Sequence, residues 1–397
     1  MERSLNKANR ILLLFALLVY ILFQFASCKK EPPSSNPNLF LRTYQTDSSA
    51  VPVYIEQLAD GGFMIISSEG AGRPLLIRTD KFGKQTWQKT IQKYCFPNNY
   101  IEQIVKSQDG KNYIAQFGWL FTKFDTIGNI EKNKSLSKTE YSFVGAMVHQ
   151  GSNIIVSAIN NPQINKIYVF DEDFTQLRAD SFYDTRSGYG GVTAQFFANS
   201  MPSSGDYIIV GDKFPNNKMI VPKLFAARIP VPGKIFQSIV DSADLIYSDQ
   251  ISWQTSSSDS GIILLGSRFS PASYNTYPVV VKFDKNLKKV WVKDFPLYNG
   301  SIYTSKISLC KDGGYMILGQ VGKTGYQDTK PYVLKIDASG NKQWDKTILS
   351  SSGSGELLYC ASLNDGSYAF VGYSNQFGNG LNNANILFIK TDASGNY

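Results

Sequence analysis

KIDASGNKQWDKTI, at residues 335–348, is one complete copy of a unit that recurs along the chain, and KTDASGNY, at residues 390–397, is the opening half of another copy. The strand that carries Trp344 in the complete copy has no counterpart after Tyr397. Its counterpart lies at the other end of the chain, because FLRTYQ at residues 40–45 resembles WQKTIQ at residues 87–92. A repeat divided between the two termini predicts a ring that is closed by its own ends.

A turn followed by an apolar strand recurs seven times. In each copy the residue seven positions after the start of the turn is small, as at Ser67 and Gly372, except in the second copy, where it is Gln116. The residues between are rich in β-branched and aromatic types, which indicates strands bounded by turns. The turns start at Asp60, Asp109, Gln150, Ser204, Asp259, Asp312 and Asp365, at spacings of 49, 41, 54, 55, 53 and 53 residues.

A second pattern is a strand that ends in aspartate and is followed by a turn and a tryptophan. Asp337 and Trp344 are seven residues apart, and Gly340 stands where a hairpin needs a positive φ. The same spacing separates Asp80 from Trp87 and Asp284 from Trp291, whereas the fourth copy is degenerate. The two patterns together predict four strands in about 50 residues, which is typical of a propeller blade.

The predicted fold is all-β, a seven-bladed β-propeller with four-stranded blades. Phe40 precedes Asp60 by 20 residues and Trp344 precedes Asp365 by 21, so Phe40 takes the tryptophan position of the last blade. The N-terminal strand therefore completes that blade and closes the ring. Six or eight blades stay open, because the second, third and fourth copies are weak.

The N-terminus reads as a targeting segment. Residues 1–27 have a basic start and then a 16-residue apolar stretch from Ile11 to Ala26, which is short for a bilayer span and fits a secretory signal. Small residues just before Cys28 resemble a bacterial lipobox, which implies an acylated Cys28; the alternative is an ordinary signal peptide. Residues 28–38 are predicted to be a tether, and residues 39–397 a single propeller domain.

The repeat unit resembles the repeats of propeller lipoproteins of Bacteroidota whose function is unknown. It is also similar to the tryptophan-docking repeats of quinoprotein-like propellers, over residues 39–397. The resemblance implies that each Trp docks its blade against a neighbour and that each Asp caps its own turn. The chain has no vicinal cysteines and is short for an eight-bladed quinone enzyme, so no cofactor is expected.

Few residues are suited to catalysis or to metal binding. Without residues 1–27 the chain has 37 basic and 31 acidic residues (40 − 3 and 32 − 1), dispersed along the sequence, so nucleic acid is not an expected partner. The single histidine, His149, is expected to be a solvated turn residue. Asp171, Glu172 and Asp173 are the nearest approach to a calcium site but lack the spacing of a calcium loop, and no metal is expected. Cys310 and Cys360 either pair or stay buried thiols.

The longer loops, all on one face of the predicted ring, are the expected binding region. Loops on a rigid scaffold often carry function, and tyrosine offers rigid contact area. The candidate residues of this face are Tyr94, Tyr189, Tyr274, Tyr298, Tyr326 and Phe377. No catalytic residue is assigned.

We expect a monomeric, lipid-anchored module of the cell envelope, on the outer membrane, that binds a protein or a glycan without catalysis. A related possibility is an accessory subunit similar in role to the propeller lipoprotein of the outer-membrane barrel-assembly machine. The alternative class is an enzyme, a glycan hydrolase, lyase or lactonase. That class predicts acids with perturbed pKa values at the mouth of the central channel.

Overall fold

The computed structural model describes most of the chain after the tether. The described residues are 36, 38–46, 49–70, 72–91, 101–136, 143–150, 152–161, 164–183, 197–200, 207–213, 223–229, 236–238, 251–270, 272–286, 288–297, 300–322, 329–348, 354–375 and 385–397. The regular elements in these ranges are β-strands, β1 to β28 in chain order.

These strands form antiparallel sheets of four, which we number 1 to 7 in chain order. Sheet 1 is β2 (Ala50–Gln57), β3 (Phe63–Glu69), β4 (Arg73–Thr79) and β5 (Gln85–Thr90); sheet 2 is β6 (Gln103–Lys106), β7 (Asn112–Phe117), β8 (Leu120–Asp125) and β9 (Ile130–Ser135). Sheet 3 is β10 (Phe143–Gln150), β11 (Asn153–Asn161), β12 (Ile164–Asp171) and β13 (Gln176–Tyr183); sheet 4 is β14 (Phe197–Ser200), β15 (Tyr207–Lys213), β16 (Lys223–Ile229) and β17 (Phe236–Ser238). Sheet 5 is β18 (Ile251–Ser256), β19 (Ile262–Ser270), β20 (Asn275–Phe283) and β21 (Lys289–Asp294); sheet 6 is β22 (Ser301–Leu309), β23 (Tyr315–Gly322), β24 (Lys330–Ile336) and β25 (Lys342–Thr347). Sheet 7 is β26 (Gly355–Ser362), β27 (Tyr368–Ser374), β28 (Asn385–Thr391) and β1 (Phe40–Tyr44).

The N-terminal strand lies where the divided repeat predicted. β1 pairs antiparallel with β28, with Phe40 opposite Lys390 and Tyr44 opposite Ile386. The other six sheets each use four consecutive strands, so sheet 7 alone is built from both ends of the chain. The predicted four-stranded units and the all-β class are confirmed.

The small residue after each first turn has a specific reason. Gly372 faces Leu357 on β26, where the strand register shifts by one residue. A Cβ on Gly372 would stand 1.9 Å from the carbonyl oxygen of Glu356, and one on Gly319 would stand 2.1 Å from that of Tyr303. The bulge in the first strand brings its backbone against the second strand, so a side chain at this position would displace it.

The core lies between sheets. The side chains of β3 and β28 are all buried, whereas those of the fourth strand β5 are exposed or half-buried. Phe388 of sheet 7 packs against Phe63 of sheet 1 and Phe40 of β1, with each pair of ring centroids 5.0 Å apart. Similar apolar clusters join sheets 1 and 2, 2 and 3, 5 and 6, and 6 and 7.

Two faces follow from the antiparallel order. Turns between first and second strands, and between third and fourth, lie on one side, which we call the tight-turn face. The remaining connections lie on the other side, which we call the loop-rich face. Within the described ranges no helix combines the length and apolar character needed to cross a membrane.

Candidate functional site

The aspartates of the repeat are turn residues. The Oδ1 of Asp337 accepts hydrogen bonds from the backbone N–H groups of Ser339 and Asn341, both at 2.8 Å. These bonds stabilise the carboxylate and hold the pKa of Asp337 below its usual range. The same pair of bonds forms at Asp80, Asp125, Asp171, Asp284 and Asp392. The prediction that these residues cap their own turns is confirmed.

The tryptophans dock one sheet on the next. Trp344 donates its indole N–H to the carbonyl oxygen of Ala393 in sheet 7, at 3.0 Å. A Cβ on Gly395 would lie 2.8 Å from the Trp344 ring, so only glycine fits beneath it. Phe40 contacts Gly83 of sheet 1 in the same way, as expected of a residue in the tryptophan position. These motif residues are therefore committed to packing.

The first turn of the repeat contains a partly buried ion pair. Asp312 binds the Nζ of Lys335 at 2.8 Å, and the Lys335 side chain is only 1% exposed. Equivalent pairs form between Asp60 and Arg78, Asp259 and Lys282, and Asp365 and Lys390. In each of these pairs the basic residue lies on the third strand, two positions before the aspartate that follows that strand, as Lys335 precedes Asp337. This pairing accounts for part of the repeat sequence without implying a ligand.

His149 differs from the expectation of a solvated turn residue. It is the last but one residue of β10 and is half-buried, and its Nε2 is 2.6 Å from Oε1 of Glu172. The same carboxylate oxygen accepts the backbone N–H of Gln108 in sheet 2, so the contact links sheets 2 and 3. The expectation was wrong because the sequence did not show that the turn at Glu172 lies beside β10.

The acidic triplet does not converge on a common point. Asp171 accepts its own turn amides, Glu172 binds His149, and Asp173 lies 3.4 Å from Lys123. Among the described residues no group of three or more His, Cys, Asp or Glu side chains is placed to hold a metal ion.

Of the six predicted face residues, the structure describes Tyr274. It lies in the hairpin between β19 and β20, is 70% exposed, and has a left-handed backbone conformation with φ of 55°. Its ring meets that of Phe269 edge to face at 6.2 Å. Tyr94, Tyr189, Tyr298, Tyr326 and Phe377 lie outside the described residues, so whether the six lie together stays a prediction.

Tyr274 is carried by a long, regularly paired β-hairpin. β19 and β20 pair over nine residues without a register shift, from Ile262 opposite Phe283 to Ser270 opposite Asn275. Beside the aromatic pair, Arg268 binds Oδ2 of Asp294 at 2.6 Å. The result is an exposed aromatic surface with charged neighbours, held on the loop-rich face by a long ladder.

Two clefts open on the tight-turn face, which sequence reasoning did not predict. One, of about 390 Å³, lies between sheets 6 and 7 and is lined by Lys311, Asp312, Trp344 and Tyr368 among others. The second, of about 470 Å³, lies between sheets 7 and 1 and shares Lys311 with the first. Both are lined by turns of neighbouring sheets, so no motif within a single repeat predicts them.

Two carboxylates hold equivalent positions in the repeat. Glu356 on β26 precedes Leu357, which faces Gly372, and Glu102, just before β6, precedes Gln103, which faces Gln116. Glu356 accepts from the Tyr373 hydroxyl at 3.0 Å, and Glu102 from Nε2 of Gln116 at 2.8 Å. Burial raises the pKa of Glu356, and it raises that of the more exposed Glu102 to about 7.

Cys310, which directly follows β22, and Cys360 of β26 are free thiols. Cys310 and Cys360 share one apolar cluster between sheets 6 and 7, and neither forms a disulfide. Burial raises the pKa of Cys310 to about 12 and that of Cys360 to about 11. Lys306 lies in the same region, with its Nζ 3.0 Å from the centroid of the Tyr359 ring, and burial lowers its pKa well below the usual value.

Comparison with known proteins identifies the fold alone. No protein family model matches the chain, and no curated protein sequence matches it either. Among solved structures it is similar to U3-55K, with 10% identity, a TM-score of 0.55, and coverage of 88% of this chain and 98% of the other. It is also similar to YCF48 from Cyanidioschyzon merolae, with 13% identity, a TM-score of 0.53, and coverage of 88% and 98%.

A third similar structure is that of BBS1N in complex with ARL6DN, with 8% identity, a TM-score of 0.51, and coverage of 90% of this chain and 97% of the other. The structural relatives are β-propeller proteins. The chain is thus an all-β protein of antiparallel four-stranded sheets that matches propeller folds. At these identities the likeness shows the fold and leaves the activity to be proposed.

Proposed function

We propose that this chain is a seven-bladed, closed β-propeller that binds a protein or a glycan of the cell envelope without catalysis. The carrying observation is the Tyr274–Phe269 pair, an exposed aromatic surface on the loop-rich face. Aromatic residues of this kind, held rigidly, are frequent anchors in interfaces because they bury large area at low entropic cost. A protein partner is also consistent with the complex in which BBS1N was solved.

Closure into seven blades is supported by contacts between successive sheets. Phe388 and Phe63 join the last sheet to the first, and β14 of sheet 4 contacts both β10 and β18. β1 also covers the edge of β28 that would otherwise stay open.

We further propose that acylated Cys28, after a signal peptide of residues 1–27, holds the domain to the outer membrane. The support is the sequence alone: a basic start, an apolar stretch, and small residues before the cysteine. The tether then places the propeller at the membrane surface as a monomeric scaffold.

The test is crosslinking of the native protein in its own membranes, followed by affinity capture and mass spectrometry. We expect a stoichiometric envelope partner whose crosslinks map to residues 268–277. A Phe269→Ala/Tyr274→Ala variant should lose this partner while its free energy of unfolding changes by less than about 1 kcal/mol, because both side chains are exposed. Leu177→Ala, which removes a side chain of a residue 55% exposed on sheet 3, is the control. An unchanged partner in the double variant would refute the assignment of the face.

A second candidate, glycan hydrolysis, is favoured by the raised pKa values of Glu356 and Glu102. Each carboxylate is held by neighbouring side chains, Glu102 by Gln116 of its own sheet and Glu356 by Tyr373 of its own sheet and Ser305 of sheet 6, which argues for structural roles. Incubation with envelope polysaccharides and assay of new reducing ends tests it. Activity that Glu356→Gln or Glu102→Gln abolishes would establish the enzyme and displace the binding module.

A further inference from the structure

The outer hairpins of the tight-turn face differ in one position. The residue two after the turn aspartate is polar in sheets 3, 5, 6 and 7, where it is Asp173, Asn286, Ser339 and Ser394. In the adjacent sheets 1 and 2 it is Phe82 and Ile127, which are 38% and 56% exposed. The same pair of aspartate hydrogen bonds forms in all six turns, so the turns do not require these apolar side chains.

Phe82 and Ile127 lie in the outer hairpins of adjacent sheets, on the same tight-turn face. Lys89 on β5 of sheet 1 donates from Nζ to the carbonyl oxygen of Ile127, at 2.8 Å, and so holds the hairpin of sheet 2 against sheet 1. Gly128 packs within ordinary contact distance of Leu76 and Ile91 of sheet 1. The two exposed apolar side chains are therefore held on a rigid rim.

The rim carries basic side chains. Lys81 lies with its Nζ 5.0 Å from the centroid of the Phe82 ring, and Lys84 and Arg42 are exposed nearby. The carboxylates of the two hairpins, Asp80 and Asp125, accept their own turn amides. Apolar tips among lysines and arginine match the requirements of an anionic lipid surface, which attracts basic groups and accepts apolar side chains at its boundary.

The chain enters the domain at this rim. β1 begins at Phe40, which contacts Gly83, and the Tyr44 hydroxyl donates to the Gly83 carbonyl oxygen at 2.7 Å. Cys28 precedes Phe40 by 12 residues, so an acyl group on it stands within about 40 Å of the rim at full extension. An anchor attached here holds this side of the molecule towards the bilayer.

We propose that Phe82, Ile127, Lys81, Lys84 and Arg42 form a membrane-contact rim, by which the propeller lies on an anionic bilayer with its loop-rich face turned away. The inference rests on the proposed acylation of Cys28. It adds an orientation, because an acyl anchor on Cys28 does not by itself decide which face the domain presents to the bilayer.

The test uses the full mature chain, purified with its native modification and reconstituted in vesicles with about 30% phosphatidylglycerol and a photoreactive phospholipid. After illumination, mass spectrometry should find lipid adducts on residues 81–84 and 126–128 and few on 268–277. Phe82→Ser should lower the rim adducts about fivefold. Val51→Ser is the matched control, since Val51 is 37% exposed near the start of β2, at the loop-rich end of that strand, and it should leave them unchanged.

Equal adduct yields in the two variants, or adducts concentrated on residues 268–277, would overturn the rim. The mass of the N-terminal peptide shows whether Cys28 is acylated, and so distinguishes a wrong rim from a missing anchor. An acylated Cys28 with no rim adducts refutes the rim alone, whereas an unmodified Cys28 refutes the anchor and the orientation that depends on it.

Discussion

Replacement of Gly83 by alanine tests how β1 is held in place. Gly83 has φ of 71°, and a Cβ there would lie 2.4 Å from Cε2 and 2.6 Å from Cζ of Phe40. The left-handed backbone costs a residue with a Cβ about 1–2 kcal/mol. Displacing the Phe40 ring, which is 4% exposed, adds about 1–3 kcal/mol. We therefore expect Gly83→Ala to lower the free energy of unfolding by about 2–5 kcal/mol.

Gly366 provides the matched control. Its φ is 79°, but a Cβ there would meet no atom within 4 Å. Gly366→Ala should thus cost only the backbone contribution, about 1–2 kcal/mol. Urea unfolding followed by fluorescence measures both, and hydrogen exchange of the β1 amides should accelerate in Gly83→Ala alone. Equal costs for the two variants would refute the reasoning.

A double-mutant cycle makes the test stricter. Phe40→Ala removes a buried ring and should cost about 3–5 kcal/mol by itself. In that background Gly83→Ala should cost no more than Gly366→Ala, because the clashing atoms are gone. Additive effects of Phe40→Ala and Gly83→Ala would show that the ring is not what excludes a side chain at Gly83.

Three further predictions concern buried and titrating groups. Asp312→Ala leaves the Lys335 ammonium buried without its carboxylate, so it should lower the free energy of unfolding in urea by about 3 kcal/mol. Adding Lys335→Met should recover most of this loss. No recovery would contradict the ion-pair explanation. Several turn aspartates have pKa values below the ordinary range, namely Asp60, Asp109, Asp125, Asp259, Asp312, Asp337, Asp365 and Asp392. The stability that they contribute should be full above about pH 4 and should fall as the pH drops through these lowered pKa values. A urea midpoint that rises on acidification would contradict this. Cys310 and Cys360 have pKa values of about 12 and about 11, so they should react with iodoacetamide at pH 8 far more slowly in the folded protein than in urea. Mass spectrometry of the labelled peptides measures both rates. A disulfide-linked peptide would contradict the free thiols.

The repeat pattern was enough to predict the local structure. Turn aspartates and glycines are constrained by backbone chemistry within five residues, so their roles at Asp337 and Gly340 could be inferred without any tertiary contact. The spacing of the repeats also predicted four-stranded units and the place of β1 beside β28, because a strand missing at one terminus had its match at the other.

The candidate site was less accessible to sequence reasoning. Tyr274 was predicted as an exposed aromatic of the loop-rich face, and it is exposed. The clefts of the tight-turn face were missed, since they arise between turns of neighbouring sheets. His149 was misjudged for the same reason, because its partner Glu172 belongs to a different hairpin.

The sequence by itself determined the strands, their turns and their order within each sheet, because those depend on residues close together in the chain. Only the tertiary structure decided which surfaces meet. It showed that Gly372 must be small because a bulged neighbouring strand presses its carbonyl against it, and that Phe40 at the start of β1 packs against Gly83 of sheet 1. Such contacts join residues tens to hundreds of positions apart in the chain. They arise from close packing between sheets, which no local sequence pattern records.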